Sequence, residues 1–167
     1  MSEDACERAG LPRGGVYVLL VRLAAPRRLR VGRLGRRSFA PGWYCYVGSA
    51  QRGLGARLRR HARRRKARHW HIDWLTVAGE VVAAWVMEAD RSAECRVAAA
   101  LARWGEVVSG FGDSDCRCGG HLVRFETERE ADAALLAGGE RPMRWPGPGE
   151  AGEEFWEKGL TGLPPVL

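Results

Sequence analysis

Tyr17 and Tyr46 lie in two apolar runs, Gly15–Val21 and Trp43–Val47, that read as strands able to pair. A phenol held near a scissile phosphate can accept a proton when a metal ion lowers its pKa. The plainer reading is a half-buried packing residue with a wet hydroxyl. Arg57 and His61 are four residues apart, so they share one stripe of the helix that follows Gly53. Around them stand Arg59, Arg60, Arg63, Arg64, Arg65, Lys66 and Arg68, and eight of the twelve residues from 57 to 68 are basic. No acidic stripe partners them locally. That density exceeds what solubility asks, and a polyphosphate backbone would satisfy it. Glu94 falls in the first turn of a later helix, where a carboxylate suits the helix dipole. It is also a carboxylate that could hold Mg²⁺ or Mn²⁺, hard ions that prefer oxygen.

Sulfur and imidazole suggest a second chemistry. Cys116, Cys118 and His121 form a partial zinc set, with His69 or His71 as a completing ligand, because a structural zinc needs four ligands. The alternative is a pair of thiols in a glycine-rich loop and a histidine that opens a strand. Asp113 and Asp115 could bind a cation or cap a turn. His69, His71 and Asp73 read as a surface turn with Trp70 and Trp74 packed inward, close enough to the basic helix to join a site. Cys45 and Cys95 read as small apolar packing residues. No G-x-S-x-G elbow, phosphate-binding P-loop or dinucleotide fingerprint occurs.

The elements that must hold these groups follow from periodicity. In Val16–Val21 both parities are apolar, which predicts a central strand covered on both faces. In the second strand Trp43, Cys45 and Val47 share one face, and Tyr44 and Tyr46 the other. Between them, pieces at 29–31 and 38–40, punctuated by glycines and Pro41, predict an arginine-rich hairpin. Leu54 and Leu58 anchor a helix running to about Arg65. HWHIDWL, 69–75, is a short helix or turn, and 79–88 a third strand. Asp90 or Ser92 can cap a helix over 93–104 with the core stripe Ala93, Val97, Leu101 and Trp104. A short strand over 121–125 precedes a last helix, for which Thr127 and Glu130 make a capping box. Residues 1–13 are expected to be loose, 14–138 to form one domain, and the Pro/Gly-rich 139–167 to be poorly ordered or docked through tryptophans.

The chain has 167 residues, enough for one domain with a core, and a formal net charge of +7. Its five scattered cysteines do not make a secreted disulfide framework. With no signal-peptide run and no membrane-length apolar stretch, a soluble cytoplasmic protein without a membrane partner is expected.

Gly15-Val16-Tyr17 and Tyr46-Val47-Gly48, followed by Arg57, His61 and Glu94, resemble the GIY-YIG nuclease superfamily. YVGSAQRGLGARLRRH, HWHIDWL and GFGDSDCRCGGHL are similar to its small Uri-type branch in archaea and bacteria, over about residues 14–126. The resemblance implies an α/β (α+β) fold with a three-stranded antiparallel sheet flanked by helices. It also implies an endonuclease that hydrolyses phosphodiester bonds with Mg²⁺ or Mn²⁺. In that frame Tyr17 would be the general base, directly or through a water, and Tyr46 would support the site and contact phosphate. Arg57 would stabilise the pentacovalent charge, and Glu94 would be the single protein ligand of the metal. His61 would assist proton transfer or grip phosphate, and Gly48 would permit the close turn. This sequence departs from the usual pattern in placing 28 residues between Tyr17 and Tyr46, a basic hairpin insertion.

The expected function is therefore a nucleic-acid endonuclease, with DNA ahead of RNA and with Arg59, Arg60, Arg63, Arg64, Lys66 and Arg68 as backbone contacts. The alternatives are a non-catalytic nucleic-acid-binding module on the same fold and a zinc-stabilised interaction domain.

Overall fold

The run that begins at Gly15 becomes β1 (Gly15–Leu23), with every residue buried except Arg22. It is central because its two faces are equally apolar, so burial on one face alone would leave half the strand in water. β4 (Gly42–Ala50) pairs antiparallel with it on one side and β5 (Glu80–Met87) on the other. This β4–β1–β5 core is the three-stranded sheet expected from the sequence, but the sheet does not stop there. β7 (Leu122–Phe125) adds to β4, β6 (Glu106–Val107) to β7, and β8 (Met143–Pro146) to β5, giving six strands in the order β6-β7-β4-β1-β5-β8. The expectation of three strands is corrected to six, all antiparallel. The computed structural model describes residues 11–112, 114, 116–139 and 142–146.

Each sheet face has its own core. Tyr17, Leu19, Val21 and Tyr44 face one layer, covered by Leu54 and Leu58 of α1 (Leu54–Ala62) and Ile72 and Leu75 of α2 (His71–Ala78). Val16, Val18, Leu20, Cys45 and Val47 face the other, covered by Ala93, Val97 and Leu101 of α3 (Ala93–Ala102) and Ala131, Ala134 and Leu135 of α4 (Glu128–Ala137). The alternating faces of 43–47 are as their parity requires. Leu54 and Leu58, fully buried, contribute about 1.5–3 kcal/mol each.

The helix ends differ from the periodic reading. α1 stops at Ala62, because Arg63 turns extended and the Lys66 ammonium takes the carbonyls of Arg60 (3.2 Å) and His61 (2.6 Å). A cation on the last carbonyls is a C-terminal cap. α3 stops at Ala102, so Trp104 leaves the core stripe and is 64% exposed. The capping box of α4 is as expected: Thr127 Oγ1 accepts from the Glu130 amide, and Glu130 Oε2 from the Thr127 amide.

The basic insertion forms its own two-stranded sheet, β2 (Arg27–Arg30) with β3 (Arg36–Phe39), and does not extend the main one. In the segment read as a tail, Trp145 is buried against the first core layer, so residues 143–146 are docked. Asp113 and Asp115, expected to bind a cation or cap a turn, lie outside the described residues, as do 1–10 of the loose N-terminus and 147–167 of the Pro/Gly-rich segment. Among the described residues no helix is long and apolar enough to cross a membrane.

Candidate active site

Tyr17 stands opposite Gly48 in the β1–β4 register, and Tyr46 opposite Leu19, so the two tyrosines are diagonal neighbours on one face. Their ring centroids are 6.5 Å apart. α1 crosses this face and lowers His61 between them, 5.5 Å from the Tyr17 ring and 6.4 Å from the Tyr46 ring. Arg57, one turn earlier, lies over Trp70 at 4.2 Å. Glu94 arrives from elsewhere: it is in the first turn of α3, which packs on the opposite face of the sheet. Glu94 meets the tyrosine side at the end of the strands, where Ser49 of β4 donates to its Oε1.

Tyr17, Tyr46, Arg57, His61 and Glu94 thus line one cleft of about 630 Å³, together with Ser49, Arg52, His69, Trp70, His71 and Arg91. Among the described lining residues Glu94 is the one carboxylate, beside Arg52, Arg57 and Arg91, so this wall favours an anion. The five candidate residues are brought together. Ser49, which was not among the candidate residues, proves to be a partner of Glu94.

The Tyr17 phenol and His61 Nε2 are 2.8 Å apart in a buried hydrogen bond. His61 Nδ1 is buried and has no hydrogen-bond partner among the described residues, with Asp73 Oδ1 3.9 Å away. A proton on Nδ1, facing that carboxylate, leaves Nε2 to accept from Tyr17. Burial pulls the His61 pKa down to about 3, the Lys66 ammonium pushes the same way, and Asp73 opposes them. His61 is therefore neutral and cannot grip phosphate as a cation. Burial also drives the Tyr17 phenol well above its ordinary value, Tyr46 adds to this, and the Arg57 guanidinium pulls against it. Tyr46 is raised too, by burial and then by Glu94.

The basic helix divides into two sets. Arg60 turns inward: its guanidinium grips both oxygens of buried Asp73, at 2.8 and 3.0 Å, and stacks on Trp70 at 4.3 Å. Lys66 donates to Thr76 Oγ1 at 2.7 Å besides capping α1. Asp73 also accepts from the amides of His69 (2.8 Å) and Trp70 (3.0 Å), which ties the start of α2. Burial alone would raise its pKa, but Arg60 and these amides hold it below the usual carboxylate value. Arg60 and Lys66 are held within the fold, whereas Arg63, Arg64 and Arg68 are exposed and Arg59 is partly exposed. Asp73 was not among the candidate site residues; the bland HxHxD turn hides a buried ionic anchor.

Glu94 suits a hard divalent ion. Its side chain is 14% exposed, it opens on the cleft, and a hydroxyl stands beside it. Mg²⁺ commonly takes one or two protein carboxylates and completes its shell with water and substrate phosphate.

Behind Glu94 lies a second cluster. The ligand atoms of Cys95, Cys116, Cys118 and His121 all fall within 4.8 Å of one another, a set that could hold a metal ion. The completing member is Cys95, next to Glu94 on α3, and not His69 or His71, which line the cleft. Cys95 reads as packing because a lone cysteine behaves as a small apolar residue, and its co-ligands lie far along the chain.

No curated protein and no solved structure matches the chain. Residues 16–141, most of its length, match the model of a family described as a domain of unknown function, DUF123, and the chain belongs to that family.

Proposed function

We propose that this chain is a metal-dependent endonuclease of GIY-YIG type, a cytoplasmic hydrolase of phosphodiester bonds in nucleic acid, with DNA ahead of RNA. The observation that carries the reading is the convergence of Tyr17, Tyr46, Arg57, His61 and Glu94 on one arginine-rimmed cleft. When bound at Glu94, Mg²⁺ or Mn²⁺ would act as a Lewis acid on a phosphate oxygen.

The protein groups divide the remaining work. Tyr17 donates to His61 Nε2, and its oxygen, with the Arg57 guanidinium beside it, keeps acceptor capacity toward the cleft. Burial disfavours a free phenolate; in a relay the phenol takes a proton from water as its own passes to the imidazole, and the Asp73 carboxylate offsets part of the burial that disfavours the imidazolium. Asp73, near the far nitrogen, favours the tautomer that can receive it. Arg57 offers fixed positive charge to the developing phosphorane, where one such donor is worth about 10²–10³ in rate. Ser49 steadies Glu94. Exposed Arg63, Arg64 and Arg68, on the segment that joins α1 to the cleft residues His69 and Trp70, would follow the polyanion. The hairpin supports the same reading: Arg30 stands directly across from Arg36, and Arg27, Arg28, Arg33 and Arg37 are exposed with them. Like charges opposite each other repel, and an anionic ligand relieves the repulsion.

The test is a cleavage panel of single-stranded, duplex and branched DNA and of RNA, with Mn²⁺ or Mg²⁺. Cutting of at least one form is expected, with Glu94→Gln abolishing it while binding survives. Tight binding with no cutting of any form, by the unaltered chain, would replace the enzyme with the binding module.

A further inference from the structure

The Cys/His cluster and the proposed nuclease site are separated by a single side chain. His121 presents Nε2 to the thiols, 3.4 Å from Cys116 Sγ and 3.7 Å from Cys95 Sγ. Its other nitrogen, Nδ1, points away from them toward Glu94 Oε2, 3.5 Å distant. That nitrogen is buried and has no hydrogen-bond partner among the described residues. We propose that Cys95, Cys116, Cys118 and His121 hold a structural Zn²⁺, and that the zinc-bound imidazole of His121 positions Glu94 for the cleavage ion. The second half rests on Glu94 being the ligand of the nuclease metal.

The donor set selects the ion. Three sulfurs and one imidazole nitrogen are soft or borderline ligands, suited to zinc and poor for Mg²⁺. A tetrahedron with bonds of about 2.0–2.3 Å has edges of about 3.3–3.8 Å. The two sulfur–nitrogen distances already lie in that range. Cys116 and Cys118, at 2.9 Å, need only spread by less than about 1 Å. Four protein ligands close the shell and leave no position for substrate, as in structural sites. The scaffold is prepared for it. The His121 carbonyl accepts from the Val47 amide of β4 at 2.9 Å, and its amide donates to Phe111 at 2.7 Å. Gly120, at φ +150°, passes so close to Val108 that a Cβ there would fall 2.7 Å from its carbonyl oxygen.

The link to Glu94 follows from imidazole chemistry. A neutral imidazole carries one proton, and a metal on Nε2 forces it onto Nδ1. Metal-bound histidines usually direct that N–H at a carboxylate or carbonyl. Here the carboxylate in reach is Glu94, whose other oxygen takes the Ser49 hydroxyl. Zinc binding, which releases the three thiol protons, thereby gives the buried Nδ1 a partner and fixes the carboxylate from behind. Zinc loss frees the imidazole to tilt or change tautomer, and Glu94 loses that support.

The test uses the full chain purified without a histidine tag. Equimolar zinc is expected, lost in Cys116→Ser. Exchange with Co²⁺ should give thiolate charge-transfer bands and the strong visible bands of a tetrahedral ion. His121→Cys separates the two halves: it keeps four soft ligands and retains zinc, but has no Nδ1. Its cleavage should need more Mn²⁺ and fall about 10–100-fold. A readout free of cleavage is the shifted Nδ1–H proton resonance of the cobalt form. Glu94 should protect it from solvent exchange, and Glu94→Ala should expose it. Zinc-free protein without cobalt bands, or with Cys116 and Cys118 found as a disulfide, would overturn the metal site. An imidazole proton that exchanges alike with and without Glu94, or undiminished cleavage by zinc-loaded His121→Cys, would overturn the positioning role. If the unaltered chain cuts nothing, the nuclease reading fails, while the cobalt bands and the imidazole proton still decide this one.

Discussion

The Tyr17 phenol lies across the backbone of Gly48, so closely that a Cβ at position 48 would fall 2.7 Å from its oxygen. Gly48 is needed here for space, since its φ is not in the left-handed region. Gly48→Ala should displace the ring from His61, lower cleavage sharply and cost about 1–3 kcal/mol by overpacking. In a Tyr17→Ala background the same change should cost less than about 1 kcal/mol, because the ring that clashes is gone. Denaturant unfolding of the four proteins measures this coupling, and equal costs in both backgrounds would refute the contact.

His61 makes stability depend on pH in one direction. Its folded pKa of about 3 lies below the unfolded value of 6.5. Between the two, the unfolded chain binds the extra proton, so stability falls as pH drops through this window and is fully present above pH 6.5. The slope from this one group is at most about 1.4 kcal/mol per pH unit. Asp73, also depressed, acts in the same direction at the acid end. His61→Gln should flatten the profile between pH 6.5 and 4, as read by urea unfolding at stepped pH.

Asp73→Asn should be among the most destabilising changes, at about 3 kcal/mol. It leaves Arg60 and Lys66 without their shared carboxylate and weakens the start of α2. Arg60→Ala should likewise lower the melting temperature. Neither should change the salt dependence of nucleic-acid binding, which separates a structural arginine from a phosphate contact.

Arg63, Arg64 and Arg68 should behave the other way. Each change to alanine should leave stability within about 0.5 kcal/mol. Each true phosphate contact removed should reduce the slope of log affinity against log salt by about 0.9 on duplex DNA. Binding titrations at stepped salt give the slopes; three unchanged slopes would place the polyanion path elsewhere, with the hairpin arginines next to be tested.

Much of the core was legible because periodicity is local. The two-residue alternation of Trp43–Val47 separates Tyr44 and Tyr46 from Cys45 and Val47, and the structure puts these on opposite layers. Leu54 and Leu58 read as the buried stripe of α1 and are buried. The outer strands were not legible. β6 is two exposed residues, and β8 lies in a Pro/Gly-rich stretch. Such edges exist because a neighbouring strand offers unpaired amides and carbonyls, which no local pattern announces. Trp104 misled because the stripe continues in sequence past the point where the helix stops.

The sequence alone determined the central strands, the helix faces, the concentration of positive charge and the residue types available for chemistry, since each depends on near neighbours along the chain. Only the tertiary structure decided which of those residues meet. It turned Arg60 and Lys66 inward onto Asp73 and gave Glu94 the Ser49 hydroxyl as a partner. It also carried Cys95 to Cys116, Cys118 and His121. Each of these meetings joins segments far apart in the chain: α1 and α2 share one face of the sheet, and α3 packs on the other, so that α1 and α3 reach the cleft from opposite sides. Their functional side chains meet at the strand ends, through a register and a crossing that spacing in sequence does not encode.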